Sequence, residues 1–285
     1  MKQILSTVAL CALLVPAAEA RTRNVSINTD GDEVVTSCDQ IRVRFDNGAG
    51  YRAEESLPVA NVRSLKVSAA RNGGVYVSGS NGYSVRACKA AAVESTLSSL
   101  RTGVSGNQVT ADGPDEENWV VFFIVTVPRG GTIDVDSHNG PITLRSVDGT
   151  VAARAINGPI AARDTSGTLD LHTTNGPISL NGGSGTAKLE AQNGPVSVTI
   201  DGATWNGSLD ARTENGPLAV KLPRNFVSGT LIEAHRGPVS CNADLCRDMR
   251  RGVSDDDEPR RIEFGSGPTV IHMSTNNGPV SVKED

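Results

Sequence analysis

The chain predicts an all-β fold, a parallel β-solenoid with about 18–22 residues per coil. Three observations carry that prediction. A tripeptide recurs at a near-fixed spacing, apolar and polar residues alternate strictly on both sides of it, and a second glycine turn lies between copies. Asn-Gly-Pro begins at Asn139, Asn157, Asn175, Asn193, Asn215 and Asn277, and Arg236-Gly237-Pro238 keeps the rhythm as a degenerate copy. The first four copies are spaced by 18 residues, and the next two steps are 22 and 21.

Alignment on the Asn separates two sets of positions. The residues six, four and two before it, and three and five after it, are apolar in 30 of 35 cases, the exceptions being Ser137, Thr173, Thr213, Thr230 and Thr275. In the alternating positions, five and three before the Asn and four after, only Ala152, Ala161, Ala219 and Leu231 are apolar. Period-two alternation on both sides of a turn describes two strands, each with one face inward, and no helical period fits. The turn chemistry is consistent. Asn tolerates a left-handed backbone, Gly supplies positive φ, and Pro opens the next strand, where its missing N–H costs least. The second turn is Gly131-Thr132, Gly149-Thr150, Gly167-Thr168, Gly185-Thr186 and Gly207-Ser208. A unit this short encloses no core of its own, whereas stacked coils bury each apolar edge against the next. An antiparallel meander is the rival, because Asn-Gly also turns two-residue hairpins. The register of inward positions, repeated copy on copy, favours the parallel stack.

Two outward columns differ in chemistry. Before the Asn, signs mostly alternate: Asp136 with Arg154, Glu190 with Arg212 and Glu233, Asp170 with Lys188 and Asp210. This reads as a charge ladder between coils rather than an acid–base cluster, each pair contributing a few tenths of a kcal/mol. After the Asn, the column Thr143, Ala161, Ser179, Ser197, Ala219, Ser240, Ser281 is small and uncharged. Thr143, Ser179, Ser197, Ala219 and Ser240 are the candidate binding residues of a flat face. The competing reading is that small residues only accommodate strand twist. The Asn column itself (Asn139, Asn157, Asn175, Asn193, Asn215, Asn277) reads as a structural amide ladder.

The chain start has the form of a secretory signal over residues 1–20. Lys2 gives the positive region, Ile4 to Leu14 the apolar run, and Ala18-Glu19-Ala20 the cleavage pattern. The run is too short for a membrane span, and Leu10 before Cys11 spoils a lipoprotein site. Cleavage after Ala20 leaves 265 residues and four cysteines: Cys38, Cys88, Cys241 and Cys246. An even number in an exported chain points to disulfides, with Cys241 and Cys246 close in sequence and Cys38 and Cys88 left for each other. Metal-ligand spacing is absent.

Residues 21–128 read as an N-terminal β-rich cap continuous with the solenoid. Its strand candidates are Gln40–Phe45, Ser64–Ser68, Gly74–Ser78, Tyr83–Ala87 and Trp119–Val127. Its helix candidate is Ala90–Leu100, with Val93, Leu97 and Leu100 on one face. Residues 129–285 are the repeat solenoid, interrupted by an irregular insertion at 242–261. The run Asp255-Asp256-Asp257-Glu258 lies among Arg250, Arg251, Arg260 and Arg261 and reads as a self-neutralising loop, with calcium as the alternative. Asn28-Thr29-Asp30-Gly31-Asp32 has its glycine in the wrong place for an EF-hand. No cofactor or metal site is expected.

Catalytic motifs are missing: no His-Glu-x-x-His, phosphate loop or nucleophile elbow occurs. Aromatic residues are 4% of the chain, which disfavours sugar stacking and single-strand nucleic-acid binding. A net charge of −5 without a basic patch argues against nucleic acid and anionic membranes.

The stretch Leu65 to Val77, the helix candidate after Cys88, Val125-Thr-Val-Pro-Arg-Gly-Gly-Thr-Ile133 and the Asn-Gly-Pro repeats resemble the bacterial putative-adhesin family. These are exported β-strand-repeat proteins, catalogued largely as a domain of unknown function. The resemblance spans residues 60–285 and implies a right-handed β-solenoid and export; it brings no catalytic motif. The expected function is that of a non-catalytic envelope or surface protein, periplasmic or extracellular, presenting a flat β face to a surface glycan or an envelope or matrix protein. The alternative is a carbohydrate-active β-helix enzyme such as a polysaccharide lyase, an analogy at the level of fold.

Overall fold

The structure, a computed structural model, describes residues 26–28, 35–46, 48–59, 62–69, 71–115, 118–242, 244–246 and 259–284. The signal segment, most of the Asn28–Asp32 loop and the acidic run 255–258 lie outside the described residues. The first strands are β1 (Ser26–Asn28), β2 (Arg42–Arg44), β3 (Tyr51–Leu57), β4 (Ser64–Ser68), β5 (Val75–Ser80) and β6 (Ser84–Ala91). Helix α1 (Glu94–Ser99), β7 (Arg101–Ser105), β8 (Gln108–Asp112) and β9 (Trp119–Pro128) follow. Each repeat then supplies two strands. Coils one to five are β10 (Gly131–Ser137) with β11 (Ile142–Arg145), β12 (Asp148–Ala155) with β13 (Ile160–Arg163), β14 (Ser166–Thr173) with β15 (Ile178–Asn181), β16 (Gly185–Asn193) with β17 (Val196–Thr199), and β18 (Gly207–Asn215) with β19 (Leu218–Leu222). Coil six is β20 (Ser228–Arg236) with β21 (Val239–Asn242). After β22 (Arg260–Phe264), coil seven is β23 (Ser266–Asn277) with β24 (Val280–Glu284).

The fold is all-β, built on two 11-stranded sheets. First strands of the coils form one sheet and second strands the other. Pairing within coils one to five is parallel and in register, Ile133 beside Val151, Leu169, Ala187 and Leu209 in turn. The Asn-Gly-Pro turns therefore do not make hairpins. Every inward position is buried except Val239 and Cys241 on β21, the last strand of the second sheet. Leu171, Leu180 and Leu189 are fully covered. Three of the inward threonine hydroxyls are satisfied by neighbouring turns. Thr173 donates to the Gly158 carbonyl at 3.2 Å, Thr213 to Gly194 at 2.8 Å, and Thr275 to Gly216 at 2.9 Å. This removes the cost of burying them.

The turn glycines serve a different purpose from the one expected. Gly158, Gly176 and Gly194 do not have positive φ. Each is instead pressed against the coil before it: a Cβ on Gly176 would overlap the carbonyl oxygen of Gly158, and one on Gly194 that of Gly176. Close backbone approach selects glycine here. The proline carbonyls accept from the coil before, as Pro177 does from Ile160 at 2.9 Å.

The stacking order departs from chain order at the C-terminal end. In the first sheet β23 lies between β18 and β20, and in the second β24 lies between β19 and β21. Coil seven is thus inserted between coils five and six. The expected ladder step from Arg212 to Glu233 does not form in that order: Arg212 and Glu233 each face Ser274 instead.

At the other end β4 and β5 pair in parallel with β10 and β11, and Asn72-Gly73-Gly74 takes the turn. Beyond them β9 runs parallel to β5, and β6 and β3 close the second sheet antiparallel. β9 is apolar from Trp119 to Val125 because both its faces are covered there. Trp119, Val121, Phe123 and Val125 join the main core, while Val120, Phe122 and Ile124 face a second cluster with Val35, Ile41, Val43 and Phe45. The helix is shorter than its apolar pattern predicts. Ala90 and Ala91 belong to β6, Val93 is exposed, and Thr96 rather than Val93 is buried.

Candidate binding face

The outer faces of the two sheets carry opposite chemistry. On the first sheet, Lys66 lies 3.7 and 3.3 Å from Asp134 and Asp136, and Arg154 reaches Asp134 at 3.0 Å and Asp170 at 4.0 Å. Lys188 bonds Glu190 at 2.9 Å, with His172 at 3.7 Å. The pairing is diagonal as well as along the column, since Arg154 is level with Asp136 but bonds Asp134. Glu190 is held below the usual carboxylate range, chiefly by the Lys188 hydrogen bond. At the inserted coil, His272 stands between Glu233 (Nε2 3.0 Å) and Asp210 (Nδ1 3.8 Å), and Arg261 meets Glu233 at 2.8 Å. Burial pushes the Glu233 carboxyl up, but the bonds from His272 and Arg261 outweigh it and bring it below the usual range. These carboxylates have cationic or histidine partners, which is the arrangement of a structural ladder.

The turn between the sheets carries the amide ladder. Each Asn donates Nδ2 to Oδ1 of the one before: Asn157 to Asn139 at 2.9 Å, Asn175 to Asn157 at 2.9 Å, Asn193 to Asn175 at 3.0 Å, and Asn215 to Asn193 at 3.0 Å. Asn277 continues it to Asn215 at 2.9 Å, and Asn139 reaches back to Asn72 at 3.0 Å. Asn72 was not predicted; its signal was Asn-Gly without the proline, in the stretch after Leu65.

On the second sheet the small residues form one row. Tyr76, Thr143, Ala161, Ser179, Ser197, Ala219, Ser281 and Ser240 pair in succession. Neighbours in such a row are about 4.8 Å apart. Thr143, Ser179, Ser197 and Ala219 are thereby brought together in the predicted order. Ser240 is one step farther out, because Ser281 of the inserted coil separates it from Ala219. The row is flanked on one side by the exposed prolines Pro159, Pro177, Pro195 and Pro217. On the other side lies a second outward row, Arg145, Arg163, Asn181, Thr199, Lys221 and Lys283. This polar and basic border went unread because it lies one position past the last inward residue of each copy.

One end of this face is already occupied. Residues 35–45 lie over Tyr76, Phe122 and Ile124, burying them to 5%, 1% and 7% exposure. The Cys38–Cys88 disulfide fastens that segment to β6, and Cys241–Cys246 closes the loop after β21. From Thr143 onward the row is half-exposed or exposed among the described residues. Among those residues no three His, Cys, Asp or Glu side chains gather as a metal site would require, and no helix is long and apolar enough to cross a membrane.

No family model matches the chain, and no curated protein does. It is similar to a solved structure described as a putative adhesin from Bacteroides fragilis, with 11% identity and a TM-score of 0.39, covering 82% of this chain and 97% of the other. It is also similar to a putative cell adhesion protein from Clostridium sporogenes, with 12% identity and a TM-score of 0.30, covering 82% of this chain and 100% of that one. A putative lipid binding protein from Parabacteroides distasonis is 10% identical, with a TM-score of 0.31, covering 82% and 98%.

Proposed function

We propose that the chain is an exported, non-catalytic, right-handed β-solenoid of the cell envelope or surface that acts as an adhesin-like binding module. Residues 21–128 serve as its N-terminal cap and 129–285 as its repeat body. The observation that carries this reading is the second sheet's outer face. A small, uncharged row runs along it, and at its N-terminal end a segment of the chain already docks there. The small row itself is cheap to desolvate, because covering it strands no charge, and the basic residues lie along its border. The charged face of the first sheet is a poorer candidate, since its carboxylates and cations are engaged with one another. The partner is a surface glycan or an envelope or matrix protein whose contact surface is itself flat and extended. Two disulfides are in keeping with an oxidising compartment.

The test is attachment of the purified full chain to a panel of glycans and matrix proteins. Ser179→Arg with Ser197→Arg is expected to leave folding intact, as both point outward, and to abolish attachment. Loss of Glu190 and Arg212 together is expected to leave attachment unchanged. Normal binding by the double-arginine variant refutes the assigned face. Degradation of a polysaccharide by the wild-type protein refutes the non-catalytic reading.

A further inference from the structure

Coil seven follows coil six in the chain yet stacks ahead of it. Among the described residues the ladder partners of β20 are β23 and β22, and that of β21 is β24. The strand ladders of coil six therefore reach the stack through coil seven, while Trp205 N–H donates directly to Ser228 Oγ at 2.9 Å. The place coil seven fills is a slot one coil thick, walled by coil five and coil six. It is specific in chemistry. The Asn215 Oδ1 receives the Asn277 amide at 2.9 Å, the Gly216 carbonyl receives the Thr275 hydroxyl at 2.9 Å, and Glu214 receives the Asn276 amide at 2.6 Å. Asp210 and Glu233, one from each wall, hold His272 between them. Inside, Ile271, Met273, Val280 and Val282 complete the core. All the wall groups lie in residues 207–242, so the slot is written in the chain before its occupant.

The chain enters the slot by an abrupt step. β22 pairs with one edge of β20 and β23 with the other, so the backbone crosses the end of β20 at Gly265, whose φ is +85°. We propose that this slot is an interaction surface for a second copy of the chain: with the turn at Gly265 opened, coil seven of one copy seats in the slot of another, and two copies close as a reciprocal dimer. The contacts made in trans are those made within a chain. Only the hinge and the joining of two molecules distinguish the two states, which is the condition under which an element is exchanged at low cost.

Arg212 of coil five and Ser274 of coil seven are register partners and mark the slot. Full chains carrying Arg212→Cys or Ser274→Cys alone are mixed, passed through mild urea at the foot of the unfolding transition, returned to buffer and treated with a short bis-maleimide. The double variant is the within-chain control. The expected result is a cross-linked species of twice the chain mass containing one copy of each variant, its fraction rising severalfold with tenfold higher protein concentration. Neither variant alone should give it. A mixture that stays monomeric at every concentration, while the double variant cross-links within itself, overturns the proposal. So does a folded double variant that fails to cross-link, because the slot is then not where it is placed. Equal dimer from one variant alone also overturns it, since the product is then not directed by the slot.

Discussion

In coils two, three and four each strand pairs with the repeat before and the repeat after it, so that Leu171 lies between Ala153 and Leu189. Between coils five and six the chain neighbour is not the neighbour in space: Ala211 of coil five lies beside Met273 of coil seven, and Met273 beside Ile232 of coil six. The inward positions follow the same pattern in both regions. A repeat decides what faces inward and how wide a coil is, but coils with equal positions are interchangeable as stacking partners. Order is set by the few groups that differ. Asn277 extends the amide ladder from Asn215, whereas coil six offers Arg236 at that place. His272 suits the gap between Asp210 and Glu233.

The largest expected effect is in the regular region. Leu171→Ala or Leu189→Ala, both fully buried, is expected to cost about 2–5 kcal/mol in urea titrations, because neither flank can collapse into the void. Lys188→Ala, adjacent in sequence but outward, is expected to cost less than about 1 kcal/mol. Equal losses contradict the assignment of faces. Gly176→Ala comes next. Its methyl group would meet the Gly158 carbonyl oxygen, and separating two coils is expected to cost at least about 2 kcal/mol.

The amide ladder gives a smaller contrast between the two regions. Asn175 donates to Asn157 and accepts from Asn193, while Asn277 donates to Asn215. At roughly 0.5–1.5 kcal/mol per bond, Asn175→Ala is expected to lower stability about twice as much as Asn277→Ala. Comparable midpoints for the two variants show that the ladder is not additive along the stack.

The smallest effect concerns pH. Because the Glu233 carboxyl is held below its ordinary value of 4.5 in the folded chain, its contribution is complete above that value and is lost as pH falls through the folded one. Unfolding midpoints taken from about pH 6 down to about pH 3 should fall, and Glu233→Gln should flatten part of that fall. An unchanged profile in Glu233→Gln shows that the clamp around His272 adds nothing to stability.

Much of this was legible in the residues. Alternation about each Asn gave the inward set from Ile133 to Val282, because side-chain direction in a strand depends on parity alone. The small row was readable for the same local reason, whereas the cysteine pairs followed from an even count and the closeness of Cys241 to Cys246. The position of coil seven was not, since strand order is a long-range choice that a period does not record. Asn72-Gly73-Gly74 was missed because Gly74 replaces the proline that marks the other turns. The cover over Tyr76, Phe122 and Ile124 was hidden as well, since an apolar run such as Trp119 to Val127 shows that both faces are buried without naming what buries them.

Stacking order is tested most directly on the second sheet, where the two possible orders place different residues side by side. Ala219 pairs with Ser281, and Ser240 lies beyond Ser281. Full chains carrying Ala219→Cys with Ser281→Cys, or Ala219→Cys with Ser240→Cys, are oxidised under native conditions and mapped for within-chain disulfides. The inserted arrangement predicts efficient bonding of positions 219 and 281 and none between 219 and 240. Bonding of 219 to 240, with 281 left free, contradicts it.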